Sequence, residues 1–458
     1  MSRLLIERCE VVAVMDDAGT ELAGGSILIE DGRISWVGSG APPGAEGVER
    51  IDGRGCVAAP GLVNTHHHLF QTLTRARAQD KGLFDWLVEL YPVWASVDEE
   101  WVGIAARVGL AELALSGCST TTDHHYIFPA GAGDLMAAEI DAARQIGLRF
   151  HPARGSMDRG ESGGGLPPDA TVEDTDSALE ATEDAVRRFH DPSPGSMLRI
   201  AVAPCSPFSV SERLMRGSAE LARRLRVRLH THVAETLDEE RHCLERFGGR
   251  PLELLEEWGW LGEDVWLAHC VHLDGDDVKR MGVTSTGAAW CPSSNLRLAS
   301  GIAPARALLD AGAPVGLGVD GSASNDAGDL LAEARQGLLV ARAGGDPTAM
   351  SARQVLRAAT RGGAACLGRE DELGSLGPGK RADVALFDLT GLGHAGAQAD
   401  PVAALVFTSP GGVRDLLVEG RPVVRDGHLV RADEEAIAAQ GRRRARSISG
   451  GAGPGGGG

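Results

Sequence analysis

Apolar residues follow one pattern near the two ends of this chain and another through its middle. Near the ends, short apolar runs flank turn signals: residues 26–30 and 34–37 surround an Asp-Gly pair, and residues 413–418 and 421–424 surround a Glu-Gly pair. Such a pair between two apolar runs is typical of a β-hairpin. Residues 382–387 form another short run. We therefore expect a small β-sandwich domain built from both ends, residues 1–56 and 370–448.

The middle of the chain, residues 57–369, alternates between strand-like and helix-like segments. Strands are predicted at residues 61–64, 119–123, 149–153, 199–203, 226–232, 265–269, 287–291 and 314–320. Parallel strands need crossover connections, which are usually helices. The predicted fold is thus α/β: a (β/α)8 TIM-like barrel that carries the β-sandwich domain. An open, doubly wound sheet gives a similar pattern, but no glycine-rich phosphate-binding motif follows any predicted strand.

Three segments stand apart from the strand and helix pattern. Ser96 and Glu99 form a capping box that predicts a helix running toward Gly117. Residues 155–176 are rich in glycine, proline and acidic residues, which indicates a long loop; it is either a lid over an active site or a surface excursion. The glycine-rich residues 449–458 predict a disordered tail.

Composition narrows the classes of function. The 458 residues include 45 Lys and Arg against 64 Asp and Glu, a formal net charge of −19, which disfavours nucleic acid and anionic membranes as partners. No apolar run is long enough to span a membrane, and the first residues do not resemble a signal peptide. The eight cysteines form no CxxC pair and lie mostly in apolar contexts. We therefore expect reduced thiols and a cytoplasmic protein.

Histidines follow the first predicted barrel strand at close spacing. His66 and His68 are two residues apart, so their side chains point the same way in an extended chain, while His67 points to the other side. Two imidazoles on one side can hold a metal ion. Polar histidines at the end of a strand give the same pattern without a ligand, so this pair alone does not decide between the two.

Three later predicted strands also end in residues that bind metals or carry protons. His232 ends one strand and is followed by Glu235, His269 ends the next, and Asp320 ends the last. In a (β/α)8 barrel the carboxyl ends of all strands meet at one face, where catalytic residues lie. The convergence of these residues, which are His66, His68, His232, His269 and Asp320, predicts a site for one divalent ion with histidine and carboxylate ligands. Such ligands favour zinc, with iron and manganese as alternatives.

On these residues the chain resembles the amidohydrolase superfamily, in particular its single-metal aminohydrolase branch, the triazine-hydrolase type. Residues 60–68 match the family's first-strand motif, 232–235 its fifth-strand motif, and 318–320 its eighth-strand aspartate. Residues 66–75, 84–87, 91–94, 153–157, 203–208 and 291–295 resemble 8-oxoguanine deaminases. The likeness implies a metal-dependent enzyme that hydrolytically removes an exocyclic amino group from a purine-like ring, with 8-oxoguanine converted to urate and ammonia as the leading case.

The resemblance implies that four residues bind the metal ion, which are His66, His68, His232 and Asp320. The chemistry of such a reaction assigns further roles at the barrel face. Glu235 would donate a proton to a ring nitrogen, Asp320 or His269 would accept the proton of the attacking water, and His269 would also orient that water. We expect four further side chains to contact the substrate, which are Gln71, Arg154, Ser156 and Trp94. Gln71 would meet an amide edge, and the tryptophan would stack on the ring, although core packing accounts for it equally well.

Two features bear on the kind of site. Relatives often have histidine just before the motif at residues 291–295, where this chain has Trp290. If Trp290 lines the pocket, substrate preference differs; if it faces away, nothing changes. Residues 199–204 contain no lysine that could bridge two metals, which argues against a binuclear site.

Other interpretations stay open at this point. The same scaffold serves guanine, isocytosine, cytosine and hydroxytriazine aminohydrolases, and the same water chemistry hydrolyses ring amides or carbon–chlorine bonds. A non-catalytic barrel that binds a metal or a purine belongs to a different class; Glu235 and Asp320 argue against it, because binding needs no proton shuttle. The expected partner is a small heterocycle, and the resemblance implies a homo-oligomer.

Overall fold

The computed structural model describes residues 3–408 and 411–451. In chain order its strands are β1 (Arg3–Glu7), β2 (Val11–Ala13), β3 (Glu21–Ala23), β4 (Gly25–Glu30), β5 (Arg33–Ser39), β6 (Glu49–Asp52), β7 (Cys56–Pro60), β8 (Leu62–Asn64), β9 (Cys118–His125), β10 (Arg149–Ser156), β11 (Ala201–Pro204), β12 (Leu229–Val233), β13 (Val265–His269), β14 (Gly287–Trp290), β15 (Val315–Leu317), β16 (Val384–Asp388), β17 (Asp415–Val418), β18 (Arg421–Arg425) and β19 (His428–Leu429).

The α-helices lie mainly between the strands of the middle of the chain. They are α1 (Leu83–Trp94), α2 (Glu99–Leu115), α3 (Leu135–Ile146), α4 (Thr175–Phe189), α5 (Glu212–Leu225), α6 (Leu237–Phe247), α7 (Pro251–Glu257), α8 (Gly275–Thr284), α9 (Pro292–Arg297), α10 (Ala305–Asp310), α11 (Leu330–Ala341), α12 (Ala352–Arg357), α13 (Gly363–Cys366), α14 (Pro401–Phe407) and α15 (Glu434–Gly451). Every helix in the described ranges is too short or too polar to cross a lipid bilayer.

Two sheets formed from both ends of the chain make up the smaller part of the molecule. One has the order β5-β4-β1-β6 and the other the order β19-β18-β17-β16-β7-β2-β3. Ile6 and Ile27 of the first sheet share a buried apolar cluster with Val384 and Leu417 of the second. The sheets therefore pack face to face, as a β-sandwich does. β7 belongs to this part, so the barrel begins at β8, a few residues later than the predicted boundary at residue 57.

Both predicted hairpins are confirmed. β4 and β5 pair antiparallel across Asp31 and Gly32, whose φ angles are 48° and 77°. β17 and β18 pair across Glu419 and Gly420, whose φ angles are 52° and 67°. Two consecutive left-handed residues match the right-handed twist of the flanking strands, and glycine at the second position adopts that conformation without steric cost.

The middle of the chain forms an eight-stranded parallel sheet in the order β15-β14-β13-β12-β11-β10-β9-β8, which confirms the predicted barrel. Hydrogen bonds join its last strand to its first, from Thr65 N to Leu317 O at 2.9 Å and from Asp320 N to His66 O at 3.0 Å. Small side chains fill the interior, where Ala153 and Ala289 surround the indole of Trp266. All eight predicted strands exist, and their ends differ from the prediction by a few residues.

Local details correct three predictions. The N-cap of α2 is Asp98, whose carboxylate accepts from Trp101 N, while the Ser96 hydroxyl donates to Val93 O and closes the turn after α1. The predicted loop 155–176 is shorter, because β10 extends to Ser156 and α4 begins at Thr175. α15 continues to Gly451, inside the predicted tail 449–458, and residues 452–458 lie outside the described residues. All eight cysteines are described, and each is buried and unpaired.

Candidate active site and metal centre

The predicted metal ligands come together at the carboxyl end of the barrel. His66 and His68 follow β8, His232 lies in β12, and Asp320 follows β15. All four side chains are buried. Asp320 has a φ of 63°, a left-handed conformation that is uncommon for a residue with a Cβ. Such backbone strain at the end of a strand is typical of functional sites, where the surrounding structure holds it in place.

Hydrogen bonds set the tautomer of each histidine in the cluster. His230 Nδ1 lies 2.8 Å from Trp266 O and donates to it, so His230 Nε2 accepts from His66 Nδ1 at 2.8 Å. The Nδ1 atom of His68 likewise donates to a carbonyl, His124 O at 2.7 Å. These bonds leave Nε2 of both His66 and His68 as an unprotonated lone pair.

His232 follows the same rule, and its lone pair faces that of His68. Its Nδ1 donates to Cys205 O at 2.6 Å, and its Nε2 lies 3.1 Å from His68 Nε2. Two acceptors at that distance repel unless a cation lies between them. His66 Nε2 is buried and has no hydrogen-bond partner among the described residues. The donor chemistry of the three imidazoles therefore fits a divalent ion.

Asp320 completes this arrangement and is held by its neighbours. Its Oδ1 lies 3.3 Å from His66 Nε2 and 3.4 Å from His68 Nε2. Its Oδ2 accepts from Ser294 Oγ at 2.5 Å and from Ser324 Oγ at 3.1 Å. Burial alone would raise the pKa of Asp320, but the adjacent imidazoles, with His66 first among them, hold that pKa well below the usual range.

The proposed proton carriers lie beside this cluster. Glu235 Oε2 is 3.6 Å from His269 Nε2. Asn295 Nδ2 lies 3.0 Å from His269 Nδ1 and donates to it, which leaves the imidazole proton on Nε2. Burial, with the charges of Asp320 and Glu239, raises the pKa of Glu235 well above its usual value, and burial lowers the pKa of His269 to about 4. These shifts favour the protonated form of the Glu235 carboxyl group and the neutral form of the His269 imidazole.

A small cavity opens onto these groups. Its lining residues are His68, Gln71, Leu83, Trp86, Leu87, Tyr91, Tyr126, Cys205, Phe208, His232, Glu235, His269, Leu298, Asp320 and Ser324. The wall is mostly apolar and aromatic, with a few polar atoms that point inward, which is the usual make-up of a small-molecule site. Gln71 is among them as predicted, and its Oε1 atom is buried without a hydrogen-bond partner in the described chain.

The structure does not bring three of the predicted substrate contacts to this cavity. The Arg154 guanidinium is bound by Glu173 at 2.8 and 2.7 Å and lies over the Phe128 ring, 4.0 Å from its centroid. Ser156 is buried two residues farther along the same face of β10. That face points away from the barrel axis, because the intervening residues point inward. Trp94 is fully buried and donates to Thr74 Oγ1 at 3.2 Å.

Trp290 also faces away from the cavity. A Cβ on Gly337 of α11 would lie only 2.9 Å from the Trp290 ring, so the indole packs closely on that helix outside the barrel. Trp290 therefore does not line the pocket, so the replacement of the relatives' histidine by tryptophan at this position leaves the pocket lining unchanged.

Several residues of the site were not predicted from the sequence. Tyr91, Tyr126 and Cys205 line the cavity, while Ser294 and Asn295 hold Asp320 and His269. Ser294 and Asn295 lie in the 291–295 motif, which was a signal for them. Tyr91 and Cys205 likewise lie in segments 91–94 and 203–208, which resemble 8-oxoguanine deaminases. Tyr126 lies in none of these segments, and aromatic residues in apolar segments usually belong to the core.

Comparisons with known proteins agree with this geometry. Residues 57–423 match the model of the Amidohydrolase family. The chain is 46% identical over 440 residues to an 8-oxoguanine deaminase of Pseudomonas aeruginosa, which is 95% of this chain and 97% of the relative. It is 39% identical over 447 residues to the hydroxydechloroatrazine ethylaminohydrolase of Pseudomonas sp. strain ADP, 92% of this chain and 91% of the relative.

A solved structure shares the whole architecture. The atrazine chlorohydrolase of Arthrobacter aurescens TC1, complexed with zinc, superposes with a TM-score of 0.90 at 35% identity and covers 96% of this chain and 100% of its own. The family model spans most of the chain, and the fold and the cluster of histidines agree with it. This chain therefore belongs to the amidohydrolase family and is a metal-dependent hydrolase.

Proposed function

We propose that this protein hydrolytically removes an exocyclic amino group from a purine-like heterocycle, with 8-oxoguanine as substrate and urate and ammonia as products. The observation that carries the proposal is one cavity with three properties. It contains a carboxyl group whose pKa is raised (Glu235), an amide oxygen without a partner among the described residues (Gln71) and a cluster of imidazoles that fits one divalent ion. The 46% identity to an 8-oxoguanine deaminase supports the choice of ring.

The metal ligands in this proposal are His66, His68, His232 and Asp320, with zinc as the ion. When bound there, the ion would supply Lewis acidity, which lowers the pKa of a water molecule toward neutrality. The zinc complex of the related chlorohydrolase supports this choice of metal.

The proton carriers act on opposite sides of the reacting carbon. Glu235 donates its proton to the ring nitrogen next to the carbon under attack, which makes that carbon electrophilic and avoids a ring anion. Asp320 Oδ1 accepts a proton from the attacking water. His269 donates a hydrogen bond from Nε2 to the oxygen of that water and orients it. The proton on Asp320 then passes to the amino nitrogen, which leaves as ammonia. The hydroxyl group on the attacked carbon becomes a carbonyl and returns its proton to Glu235, so the overall reaction consumes one water.

Recognition of the ring falls to the wall of the cavity. Gln71 Oε1 accepts from a ring N–H group, because an amide oxygen buried without a partner gains most from a substrate donor. Trp86 and Phe208 supply flat apolar surface against which a planar bicyclic ring can pack. A binding protein would need this wall but not the protonated Glu235, so catalysis is favoured over binding alone.

The test is the release of ammonia from a panel of rings by the zinc-loaded protein at fixed pH. The panel contains 8-oxoguanine, guanine, isocytosine, cytosine, adenosine and a hydroxytriazine, with a chlorotriazine to detect chloride release. We expect the highest kcat/KM with 8-oxoguanine and urate in equal amount to ammonia. Turnover of another amine would retain the deaminase and replace the substrate. Chloride without ammonia, or binding of 8-oxoguanine without turnover, would overturn the proposal.

A further inference from the structure

A buried carboxylate that the proposed chemistry does not use lies against the backbone of the proton donor. Glu239 is the third residue of α6, is fully buried, and does not line the cavity. It forms no ion pair in the described part of the chain, and its two oxygens accept from backbone amides instead. Burial raises its pKa to about 7, although these amides, with Glu235 first among them, act to lower it. Burying a carboxylate away from any cation costs free energy, which the hydrogen bonds that it accepts must offset.

The two amides belong to Glu235 and to the residue before it. Ala234 N donates to Glu239 Oε1 at 2.9 Å, and Glu235 N donates to Glu239 Oε2 at 2.8 Å. On the other side of the peptide that joins Ala234 to Glu235, Ala234 O accepts from His272 N at 2.8 Å. Both polar groups of this peptide are therefore fixed, its N–H by Glu239 and its carbonyl by the backbone that follows β13.

The backbone at this point has a conformation that needs such support. Ala234 directly follows β12 and has a φ of 50°, a left-handed value that is unfavourable for a residue with a Cβ. The torsions of Ala234 set the direction in which the Glu235 side chain leaves the backbone. In the observed conformation that side chain lines the cavity, with its Oε2 atom 3.6 Å from His269 Nε2. A relaxed Ala234 would send the Glu235 side chain in another direction.

An ordinary helix cap does not account for this arrangement. In a capping box, a glutamate at the third position of the helix binds the amide of the N-cap residue. The N-cap of α6 is Thr236, whose hydroxyl accepts from Glu239 N at 3.3 Å. The Glu239 carboxylate reaches beyond Thr236 to the two residues before it, which lie outside the helix. Stabilising the start of α6 does not require these two bonds.

We propose that Glu239 is a positioning residue, whose carboxylate holds the peptide between Ala234 and Glu235 so that the Glu235 carboxyl group faces the substrate. This assignment rests on the proposed role of Glu235 as the proton donor. Because Glu239 does not line the cavity, its effect on the reaction passes through Glu235. Proton transfer depends steeply on distance and angle, so a displaced Glu235 lowers kcat. Binding of the ring depends on other parts of the wall, so KM changes little.

The first test leaves Glu239 with one acceptor in place of two. In Glu239→Gln the side chain keeps its size, but it has a single oxygen and turns an NH2 group toward the second amide, which is also a donor. For the ring that the wild type deaminates fastest, we expect kcat to fall about 10–100-fold and KM to stay within about threefold. Zinc content should be unchanged, because Glu239 is not among the proposed ligands. Glu245→Gln, an exposed position on the same helix, should keep the wild-type kcat and KM.

A second variant separates positioning from packing. Aspartate in Glu239→Asp keeps both carboxylate oxygens, but it is one methylene group shorter and leaves a buried void that glutamine would fill. A residue that only fills space would tolerate glutamine better than aspartate. We expect the opposite order, with kcat lowered roughly threefold or more in Glu239→Asp but less than in Glu239→Gln. If Glu239→Gln does not fold, Glu239→Asp carries the test, and a wild-type kcat in that variant would overturn the proposal.

Crystal structures of the wild type and of Glu239→Gln give a measurement that does not depend on activity. We expect the Glu235 carboxyl group of the variant to move by about 1 Å or more away from His269, with the proposed metal ligands in place. An unmoved Glu235 side chain, or a variant with lower Tm but wild-type kcat, would overturn the proposal. If the wild type releases ammonia from no ring of the panel, the proposed function fails, while the crystal structures still decide whether Glu239 positions Glu235.

Discussion

Replacement of Glu235 by glutamine removes the proton donor and little else. Glu235 is 4% exposed, and its Oε2 atom lies 3.6 Å from His269 Nε2. Burial raises the pKa of this carboxyl group well above its usual value, which favours the protonated form that a general acid needs. Glutamine has the same shape and hydrogen-bonding reach but cannot release a proton. General acid catalysis contributes about 10²–10⁴-fold, so we expect kcat to fall by that factor, roughly 3–5 kcal/mol of barrier.

The assay measures ammonia release at pH 7 and zinc content on the same samples. Glu245→Gln, an exposed position on the neighbouring helix α6, is the matched control and should retain full activity. We expect the Glu235→Gln protein to hold one equivalent of metal, because Glu235 is not among the proposed ligands. A variant that keeps its metal and more than a tenth of wild-type kcat would refute the role in proton transfer. Loss of the metal would instead mean that Glu235 supports the ligands.

Three further outcomes follow from the contacts. Burial raises the pKa of Glu139 to about 8, so the folded state holds a proton that the unfolded chain releases near pH 4.5; its share of stability is complete below pH 4.5 and is lost as pH rises to about 8. Between about pH 4.5 and 8, the unfolding free energy of the wild type should therefore fall by about 1.4 kcal/mol per pH unit more than that of Glu139→Gln, as measured by denaturant titrations. Parallel plots of unfolding free energy against pH for the two proteins would contradict this. Trp290→Phe should lower the unfolding free energy by about 1–3 kcal/mol and leave the ranking of substrates by kcat/KM unchanged, since the indole packs on Gly337. Arg154→Gln should reduce thermal stability without raising KM, because Glu173 holds that guanidinium outside the cavity; a KM increase of tenfold or more would return Arg154 to the substrate.

The sequence alone determined the architecture and the inner part of the site. Alternation of strands and helices requires parallel pairing, and a parallel barrel brings every strand's carboxyl end to one face. His66, His68, His232 and Asp320 therefore had to lie close together once their strands were recognised. The hairpins were equally readable, because an Asp-Gly or Glu-Gly pair supports two left-handed residues in a row.

Only the tertiary structure decided which buried side chains face the cavity. Strand periodicity separates two faces, but in a barrel both faces are buried, one by the interior and the other by the helices, so hydrophobicity does not distinguish them. Arg154 and Trp290 illustrate this, since both come from barrel strands and both point outward. The hydrogen bond from His66 to His230 likewise joins strands far apart in sequence. It sets which nitrogen faces the metal site, and local sequence carries no record of such a contact.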